Sequence, residues 1–262
     1  MKKTLLCLLV ILCSIFTFRS SAVRAADVTV ASPDGTLILT LKTDEGLSYS
    51  LTSHGTQLIA PSPMGFELKG ERPMTGDFTL VRPADVRLCS DHWRPVVRNR
   101  HAEVSLTWNE ATLQLVERQG DRRRMDIEVR VFDGGAAFRY TLYGAPRIGD
   151  RQITREITGF NVPESASAWA AIYNPDYTSS QENSFWKTAA TELSTERVMG
   201  LPFLMELDTE HYVAITEACI DDFTSCYIGR SEGVHDGLVS LSTRLSPLPG
   251  EPVDGVKVRF DE

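Results

Sequence analysis

Positive charge is scarce in this chain. Its 262 residues carry 27 lysines and arginines against 35 aspartates and glutamates, which gives a formal net charge of −8. Nucleic-acid binding depends on basic patches that release counterions, so this balance argues against a nucleic-acid partner and remains compatible with neutral ligands. The densest basic run is Arg122, Arg123 and Arg124, which has Glu117 and Asp121 beside it and no interleaved aromatic residue for base stacking. We expect this run to form a solvated hairpin turn.

Motifs for several kinds of chemistry are missing. The sequence contains no G-x-S-x-G nucleophile elbow and no G-x-x-x-x-G-K-[ST] phosphate loop. It also has neither a C-x-x-C pair nor a Cys/His cluster, so it does not predict a zinc site. Few windows place apolar residues at spacings of three and four, and prolines recur throughout the chain, so the sequence does not favour helices.

Cysteine is limited to five residues, two of which lie close to the N-terminus. The other three are Cys89, Cys219 and Cys226, and an odd number cannot all pair. Cys219 and Cys226 flank the segment "IDDFTS", where a hairpin would bring them together. Spacing alone does not establish disulfide geometry, so a cross-hairpin disulfide and two small buried thiols both remain open.

The first 25 residues have the order of a secretory signal. A charged start, "MKK", precedes the apolar run "TLLCLLVILCSIFTF", and small residues follow in "SSAVRA". The apolar run is shorter than the roughly 20 residues that span a bilayer, so we expect cleavage after Ala25 and no membrane segment in the mature chain. The leader holds four of the basic residues and no acidic ones, so the exported protein is more acidic still.

Short strand-like segments separated by turn signals fill the remainder, residues 26–262. Turns are predicted at "SPDG" (32–35) and "FDGG" (132–135). The segment "VSLTW" places Val104, Leu106 and Trp108 on one face, and "MDIEVRV" (125–131) repeats the alternation. A period of two is typical of half-buried strands. We therefore predict an all-β domain built as a large two-sheet antiparallel sandwich, because the length exceeds that of a seven-stranded immunoglobulin-like domain.

Four stretches occur in a specific order: "SPDGTLILTLKTDEGLSYSLTSHGTQLIAPSPMGFEL", "FDGGAAFRYTL", "QENSFWK" and "YVAITEACIDDF". Together they resemble the N-terminal β-sandwich of glycoside hydrolase family 97, which comprises bacterial exo-acting α-glucosidases and α-galactosidases. The resemblance covers essentially residues 27–262 and implies a galactose mutarotase-like super-sandwich. In that family a (β/α)8 barrel follows the sandwich and carries the catalytic carboxylates. Such a barrel needs roughly 200 residues or more, so we expect this chain to be a truncated piece or a split-off domain.

The resemblance also implies a metal ligand. In the family, one glutamate of the sandwich reaches across the domain boundary to a calcium ion beside the sugar site, and Glu182 in "QENSF" occupies the matching position. Gln181 and Phe185 stand where the family usually has tyrosines, which makes Asp176 the alternative ligand. Calcium takes six to eight oxygen ligands, so we expect Glu182 to hold it only together with the barrel.

Aromatic residues are concentrated around the same segment, at Trp169, Tyr173, Tyr177, Phe185 and Trp186. Aromatic rings stack on the C–H faces of sugars and also bury large areas in interfaces. We interpret the group mainly as packing against the barrel, with Trp186 as the candidate contact to an α-linked oligosaccharide substrate.

The sequence yields no candidate catalytic residue, because no pair of carboxylates can be nominated for the acid and base roles of glycoside hydrolysis. Whether this chain alone is an enzyme therefore stays open. Two alternatives remain: a free-standing carbohydrate-binding module, and an aldose epimerase-like enzyme with a His acid and a Glu base. The histidines that the second would need are scattered without a shared motif: His54, His92, His101, His211 and His235. In every case we expect export to the periplasm or the outer surface of a Gram-negative bacterium.

Overall fold

A computed structural model describes residues 27–43, 46–98, 100–143, 151–174, 182–220, 223–246 and 256–258. The predicted signal segment, residues 1–25, lies outside these ranges. So do Asp176, Tyr177 and Gln181 of the candidate loop.

Strands make up more than half of the described residues. In chain order the strands are β1 (Val28–Ala31), β2 (Leu37–Lys42), β3 (Ser48–Ser53), β4 (Thr56–Pro63), β5 (Phe66–Leu68), β6 (Phe78–Leu80), β7 (Arg87–Trp93), β8 (Val104–Glu117), β9 (Arg124–Phe132), β10 (Gly135–Tyr143), β11 (Arg151–Glu156), β12 (Gly159–Pro163), β13 (Ser167–Ala170), β14 (Ile172–Tyr173), β15 (Trp186–Ala189), β16 (Val198–Met199), β17 (Phe203–Glu206), β18 (Tyr212–Ile215), β19 (Cys226–Arg230), β20 (Leu238–Leu245) and β21 (Val256–Val258). One 3₁₀ turn spans Ala190–Glu192. Within these residues no helix is long and apolar enough to cross a membrane.

The strands pair into antiparallel sheets. The largest has nine strands in the order β1-β2-β3-β4-β12-β20-β19-β16-β14, and a second has the order β10-β9-β8-β6, with β7 also pairing with β8. Two smaller sheets have the orders β21-β11-β5 and β15-β13-β17-β18. The predicted all-β class is confirmed.

One apolar core joins the sheets. The nine-stranded sheet contributes Leu39 and Leu41, the sheet around β8 contributes Leu113 and Ile127, and the β13 sheet contributes Phe203; all are at most 1% exposed. Burying side chains of this size favours folding by roughly 1.5–3 kcal/mol each. The sheets therefore pack as a large sandwich around shared contacts, as the alternating pattern predicted.

The core face of β8 differs from the prediction. Val131 on β9 is fully buried and lies opposite Asn109, whereas Trp108 lies opposite Phe132 on the other face of the sheet. Val104 and Leu106 share the outer face with Trp108, and Leu106 is 40% exposed. The three residues share one face as predicted, but that face points away from the core. The N-terminal part of β8 extends past the last residue of β9, so no core lies beside it to cover them.

The prediction of a fully solvated turn at Arg122 to Arg124 is wrong for its central residue. Arg123 is 6% exposed and donates from Nε and Nη2 to the two carboxylate oxygens of Glu117, at 2.7 and 2.5 Å. Its Nη1 pairs with Glu71 at 3.0 Å, and Nη2 also donates to the carbonyl of Arg72. A guanidinium with this many partners can be buried, because the charge is neutralised and its donors are used.

The three cysteines of the described residues, Cys89, Cys219 and Cys226, are all free thiols. Of the two alternatives that the sequence left open, the structure therefore shows free thiols and not a Cys219–Cys226 disulfide. Cys226 is half-buried at the start of β19, whereas Cys219 is exposed.

Candidate functional site

The candidate ligand Glu182 lies in a short irregular segment, residues 182–185, that leads into β15. This strand forms one edge of the four-stranded sheet and pairs with β13 from Ala170↔Trp186 to Ser167↔Ala189. Residues 182–185 are all exposed. The carboxylate of Glu182 is therefore accessible to a partner at the surface.

The side chain of Asn183 fastens this segment to the sandwich. The amide nitrogen of Asn183 donates a hydrogen bond to the carbonyl of Ile172 on β14. The adjacent Tyr173 is buried, and its ring packs edge-on against Tyr227 of β19 at 5.9 Å between centroids. The start of the segment is thus tied to a strand that is itself held by core aromatics.

Close backbone approach helps to hold β14 in place. Gly200 follows β16, and a Cβ atom at this position would lie 2.6 Å from Cε2 of Tyr173. The amide of Gly200 also donates to the carbonyl of Ala171 at 2.9 Å. Only glycine lets the two chains come this close without a shift of the Tyr173 ring.

The two exposed tryptophans of the region lie on opposite faces of the β13 sheet. Trp186 pairs with the buried residue Ala170, which puts both side chains on the core-facing side of the sheet, but Trp186 is still 68% exposed. Trp169 lies opposite Lys187 and Leu204 on the outer face and is 40% exposed. The two rings therefore cannot form one continuous platform.

The predicted aromatic group is divided by the structure. Tyr173 is a core residue, whereas Phe185 and Trp186 are exposed beside Glu182. Tyr177 lies outside the described residues, as does the alternative ligand Asp176. Glu182, Phe185 and Trp186 thus form the part of the predicted site that the structure brings together.

Calcium fits this site only in part. The exposed carboxylate of Glu182 is the hard oxygen donor that calcium prefers, but the ion needs six to eight oxygens. In the described part of the chain, no group of three or more His, Cys, Asp or Glu side chains is arranged to hold a metal ion. Glu182 can therefore serve as one ligand of a calcium ion whose other ligands come from elsewhere.

A second polar cluster, which the sequence did not reveal, lies at the C-terminal end of β11. The Thr158 hydroxyl donates to Oε1 of Glu156 at 2.5 Å and lies 2.9 Å from the Tyr140 hydroxyl. Both oxygens of Glu217 accept the backbone N–H of Cys226 at 3.1 Å. Burial raises the pKa of Glu156 to about 7; the Thr158 hydrogen bond opposes this shift and the nearby charge of Glu217 adds to it. Burial likewise raises the pKa of the Cys226 thiol.

Sequence patterns could not have found this cluster, because its members come from four separate elements. Around Glu156 the sequence shows only the alternation of apolar and polar residues that is typical of a strand. Glu217 stands in the quoted "YVAITEACIDDF" stretch, where no neighbouring residue indicates a functional site. The arrangement explains why a carboxylate in that stretch is structurally useful: it ties the residues after β18 to the first residue of β19.

Two of the five histidines lie in local ion pairs at the surface of the described chain. His211 contacts Asp208 at 2.9 Å within an exposed turn, and His92 lies 3.6 Å from Glu103 on the β7–β8 hairpin. Each is a local surface pair, and the two pairs belong to different sheets.

Comparison with known proteins identifies the family. Residues 30–249 match the family described as "Glycosyl-hydrolase 97 N-terminal". The chain belongs to this family. The resemblance to the sandwich of glycoside hydrolase family 97 that the sequence motifs indicated is therefore confirmed over most of this family 97 N-terminal domain.

Curated relatives of this family 97 domain are longer proteins. A "Retaining alpha-galactosidase" of Bacteroides thetaiotaomicron is 26% identical over 261 residues, which cover 97% of this chain and 37% of the relative. A "Probable retaining alpha-galactosidase" of Streptomyces bingchenggensis is 28% identical over 160 residues, 60% of this chain and 23% of the relative. The chain thus spans about a third or less of these relatives.

Solved structures share the fold of the family 97 domain. A single-residue variant of a glycoside hydrolase family 97 enzyme from Pseudoalteromonas sp. strain K8 superposes with a TM-score of 0.76 at 22% identity, covering 89% of this chain and 34% of that one. A β-arabinopyranosidase gives a TM-score of 0.69 at 23% identity, covering 83% and 35%. At these identities the likeness establishes the architecture alone.

Proposed function

We propose that this chain is the N-terminal domain of an exported, exo-acting α-glycosidase, in which it supports a (β/α)8 catalytic barrel. Glu182 supplies one oxygen ligand to a calcium ion beside the substrate, and Trp186 forms part of the substrate-site wall. The family match over residues 30–249 carries this proposal. The curated relatives are named as α-galactosidases, which favours α-galactosides over α-glucosides as substrates.

The surface chemistry around Glu182 supports the assignment of roles. Its carboxylate is exposed, and the neighbouring Phe185 and Trp186 are 48% and 68% exposed. An acid flanked by uncovered aromatic side chains suits a contact between domains, because the rings gain burial and the carboxylate gains a cation. The Asn183 hydrogen bond to Ile172 holds the segment in one position for such a contact.

A chimeric enzyme tests the proposal. The corresponding N-terminal region of the Bacteroides thetaiotaomicron relative is replaced by this chain, and hydrolysis of a chromogenic α-galactoside is measured against calcium concentration. We expect activity that chelation abolishes, and a calcium requirement at least tenfold higher for Glu182→Gln. The matched control is Glu192→Gln, an exposed glutamate on the 3₁₀ turn, which should leave the calcium dependence unchanged. An active chimera whose calcium response ignores Glu182 would contradict the ligand assignment.

The exposed Trp186 also supports a second candidate, a free-standing carbohydrate-binding module. In that case the chain alone would bind galactose or an α-linked oligosaccharide, and its tryptophan fluorescence would change on titration. Trp186→Ala should then abolish the signal, whereas Trp169→Ala, on the opposite face of the sheet, should preserve it. No fluorescence change at millimolar sugar would eliminate this candidate.

A further inference from the structure

Exposed apolar side chains are concentrated around β7. Of the fifteen large hydrophobic residues that are exposed in the described chain, seven lie between residues 81 and 106. These seven are Val81, Val86, Leu88, Trp93, Val96, Val97 and Leu106. Val96 is fully exposed, and Val97 and Leu88 are 74% and 68% exposed. Leu88 lies on one face of the β7–β8 hairpin, whereas Trp93 and Leu106 lie on the other, so exposed apolar side chains flank β7 on both faces. Groups of exposed apolar residues mark interaction sites.

The strand at the centre of this cluster has an open edge. Within the described residues, β7 pairs with β8 from Arg87↔Glu110 to Trp93↔Val104 and with no other strand. Its register is uniform over seven residues, and its sequence, RLCSDHW, contains neither proline nor lysine. Folded proteins usually blunt an exposed edge with prolines, bulges or charged side chains. The free edge of β7 has no proline or bulge, and its two charged residues, Arg87 and Asp91, are of opposite sign, so it can accept a strand whose charges match.

Part of the hairpin also projects beyond the body of the sheet. Strand β9 ends opposite Trp108, so the pairs from Ser90↔Thr107 to Trp93↔Val104 form a ribbon to which the described residues add no third strand. Isolated two-stranded ribbons are marginally stable in water. A further strand on the free edge of β7 would give the ribbon a third member.

The distribution of side chains along β7 is self-complementary under two-fold symmetry. Arg87 pairs with Glu110 of its own chain at 2.6 Å. If two β7 strands pair antiparallel about Ser90, this guanidinium lies opposite Trp93 of the other copy, where its flat face can stack on the indole. Arg87 also becomes a diagonal neighbour of Asp91, an exposed carboxylate. The exposed valines beyond the tip, Val96 and Val97, then approach Val86 at the base of the second copy.

We infer that β7 is a homodimerisation edge, across which two copies of this chain join their β7 strands into one continuous antiparallel sheet. This surface is separate from the Glu182 segment and does not depend on the proposed function. A specific interface buries at least about 1,000 Å² in total, so the dimer must cover the exposed apolar residues that flank β7 as well as its free edge. The occupant is a second copy because the charge pattern and both apolar ends of the strand match themselves.

Sedimentation velocity of the chain from 1 to 200 μM tests the inference. We expect a concentration-dependent dimer, and a dissociation constant at least tenfold higher for Leu88→Lys and for Trp93→Lys. The control Tyr212→Lys places the same charge at an exposed aromatic residue on β18 and should leave the dimer intact. Circular dichroism melting curves verify that every variant is folded. A monomer at all concentrations would overturn the inference, and so would a dimer that the β7 variants leave unchanged.

Cross-linking tests the register. In a background that carries Cys89→Ser and Cys219→Ser, which removes the native thiol of β7 and the exposed one, Ser90→Cys should form an intermolecular disulfide under mild oxidation. Facing residues on paired strands lie about 5 Å apart, which suits a disulfide. Ser105→Cys is the matched control: it lies on the same face of the ribbon but one strand further from the edge. Efficient cross-linking of Ser105→Cys, or none with Ser90→Cys, would refute pairing through β7.

Discussion

The guanidinium of Arg123 and the carboxylate of Glu117 form a two-pronged ion pair inside the protein, with contacts of 2.7 and 2.5 Å. Glu117 is 1% exposed and also receives Arg72 at 3.2 Å. The pair closes the β8–β9 hairpin, because the amide of Glu117 bonds the carbonyl of Arg123 as well. Hydrogen bonds to Glu117 raise the pKa of Arg123 further above its ordinary value.

Removing one partner of this pair should be costly. We expect Glu117→Ala to lower the free energy of unfolding by about 3–5 kcal/mol, because the buried guanidinium loses both bonds to its most buried partner and keeps only the half-exposed Glu71 as an anionic partner. Urea denaturation monitored by tryptophan fluorescence measures the change. The exposed neighbour Arg122 provides the control, and Arg122→Ala should change stability by less than about 1 kcal/mol. Equal effects of the two substitutions would contradict a buried pair.

The outward orientation of the first half of β8 makes a second prediction. Leu113 is fully buried, whereas Leu106 on the same strand is 40% exposed. Leu113→Ala should therefore cost about 2–5 kcal/mol through lost burial and a cavity, and Leu106→Ala should cost less than about 1 kcal/mol at concentrations where the chain is monomeric. The two unfolding free energies compared in one denaturant series decide the matter. A large loss for Leu106→Ala would place that residue in the core.

Stability should depend on pH through Glu156. The pKa of this carboxyl rises from an ordinary 4.5 to about 7 in the folded protein. Between those values the folded protein keeps a proton that the unfolded chain has lost, so stability falls as pH rises from about 4.5 to 7 and then stays level. At about 1.4 kcal/mol per pKa unit, the loss amounts to at most about 3.5 kcal/mol.

A neutral substitution at Glu156 isolates this contribution. We expect Glu156→Gln to flatten the stability profile between about pH 4.5 and 7, measured by urea denaturation across that range. Glu192→Gln, at an exposed position, should keep the slope of the parent chain. A parent profile without a decline in this range would show that Glu156 ionises in its ordinary range.

Close packing at Gly200 yields a fourth prediction. A Cβ at Gly200 would lie 2.6 Å from the Tyr173 ring, whereas a Cβ at Gly134 would meet nothing within 4 Å. Gly200→Ala should therefore destabilise the protein by about 1–3 kcal/mol, and Gly134→Ala should be near neutral. Thermal unfolding of the two variants provides the comparison. Because Tyr173 adjoins the carbonyl that anchors Asn183, Gly200→Ala should also weaken calcium-dependent activity in the chimeric enzyme.

Alternation along the chain was sufficient to predict the strand content and the core face of β9. Met125, Ile127, Val129 and Val131 are all fully buried. The same pattern at Val104, Leu106 and Trp108 identified a strand but the wrong face, because alternation reveals which residues share a face and not what lies against it. That depends on where β9 ends, which is a property of the assembled sheet.

The charge pattern of the sequence also did not predict which charged residues are buried and paired. Arg123 stands between two other arginines, and no local feature distinguishes it, yet it alone finds Glu117, Glu71 and the carbonyl of Arg72. Those partners come from 6 to 52 residues away. Glu156 and Glu217 were missed for the same reason. In contrast, the family resemblance placed Glu182 at an exposed position beside exposed aromatics, although its role as a ligand remains a prediction.

The unequal surroundings of the cysteines have a practical consequence. Cys219 faces solvent, while burial holds the proton on Cys226 and thereby suppresses the thiolate that alkylating reagents attack. A maleimide dye should consequently attach at Cys219 well before Cys226. Once Cys89, the other partly exposed thiol, is replaced by serine, the chain offers a labelling position two residues from Glu217, from which distances to a docked neighbour could be followed by energy transfer.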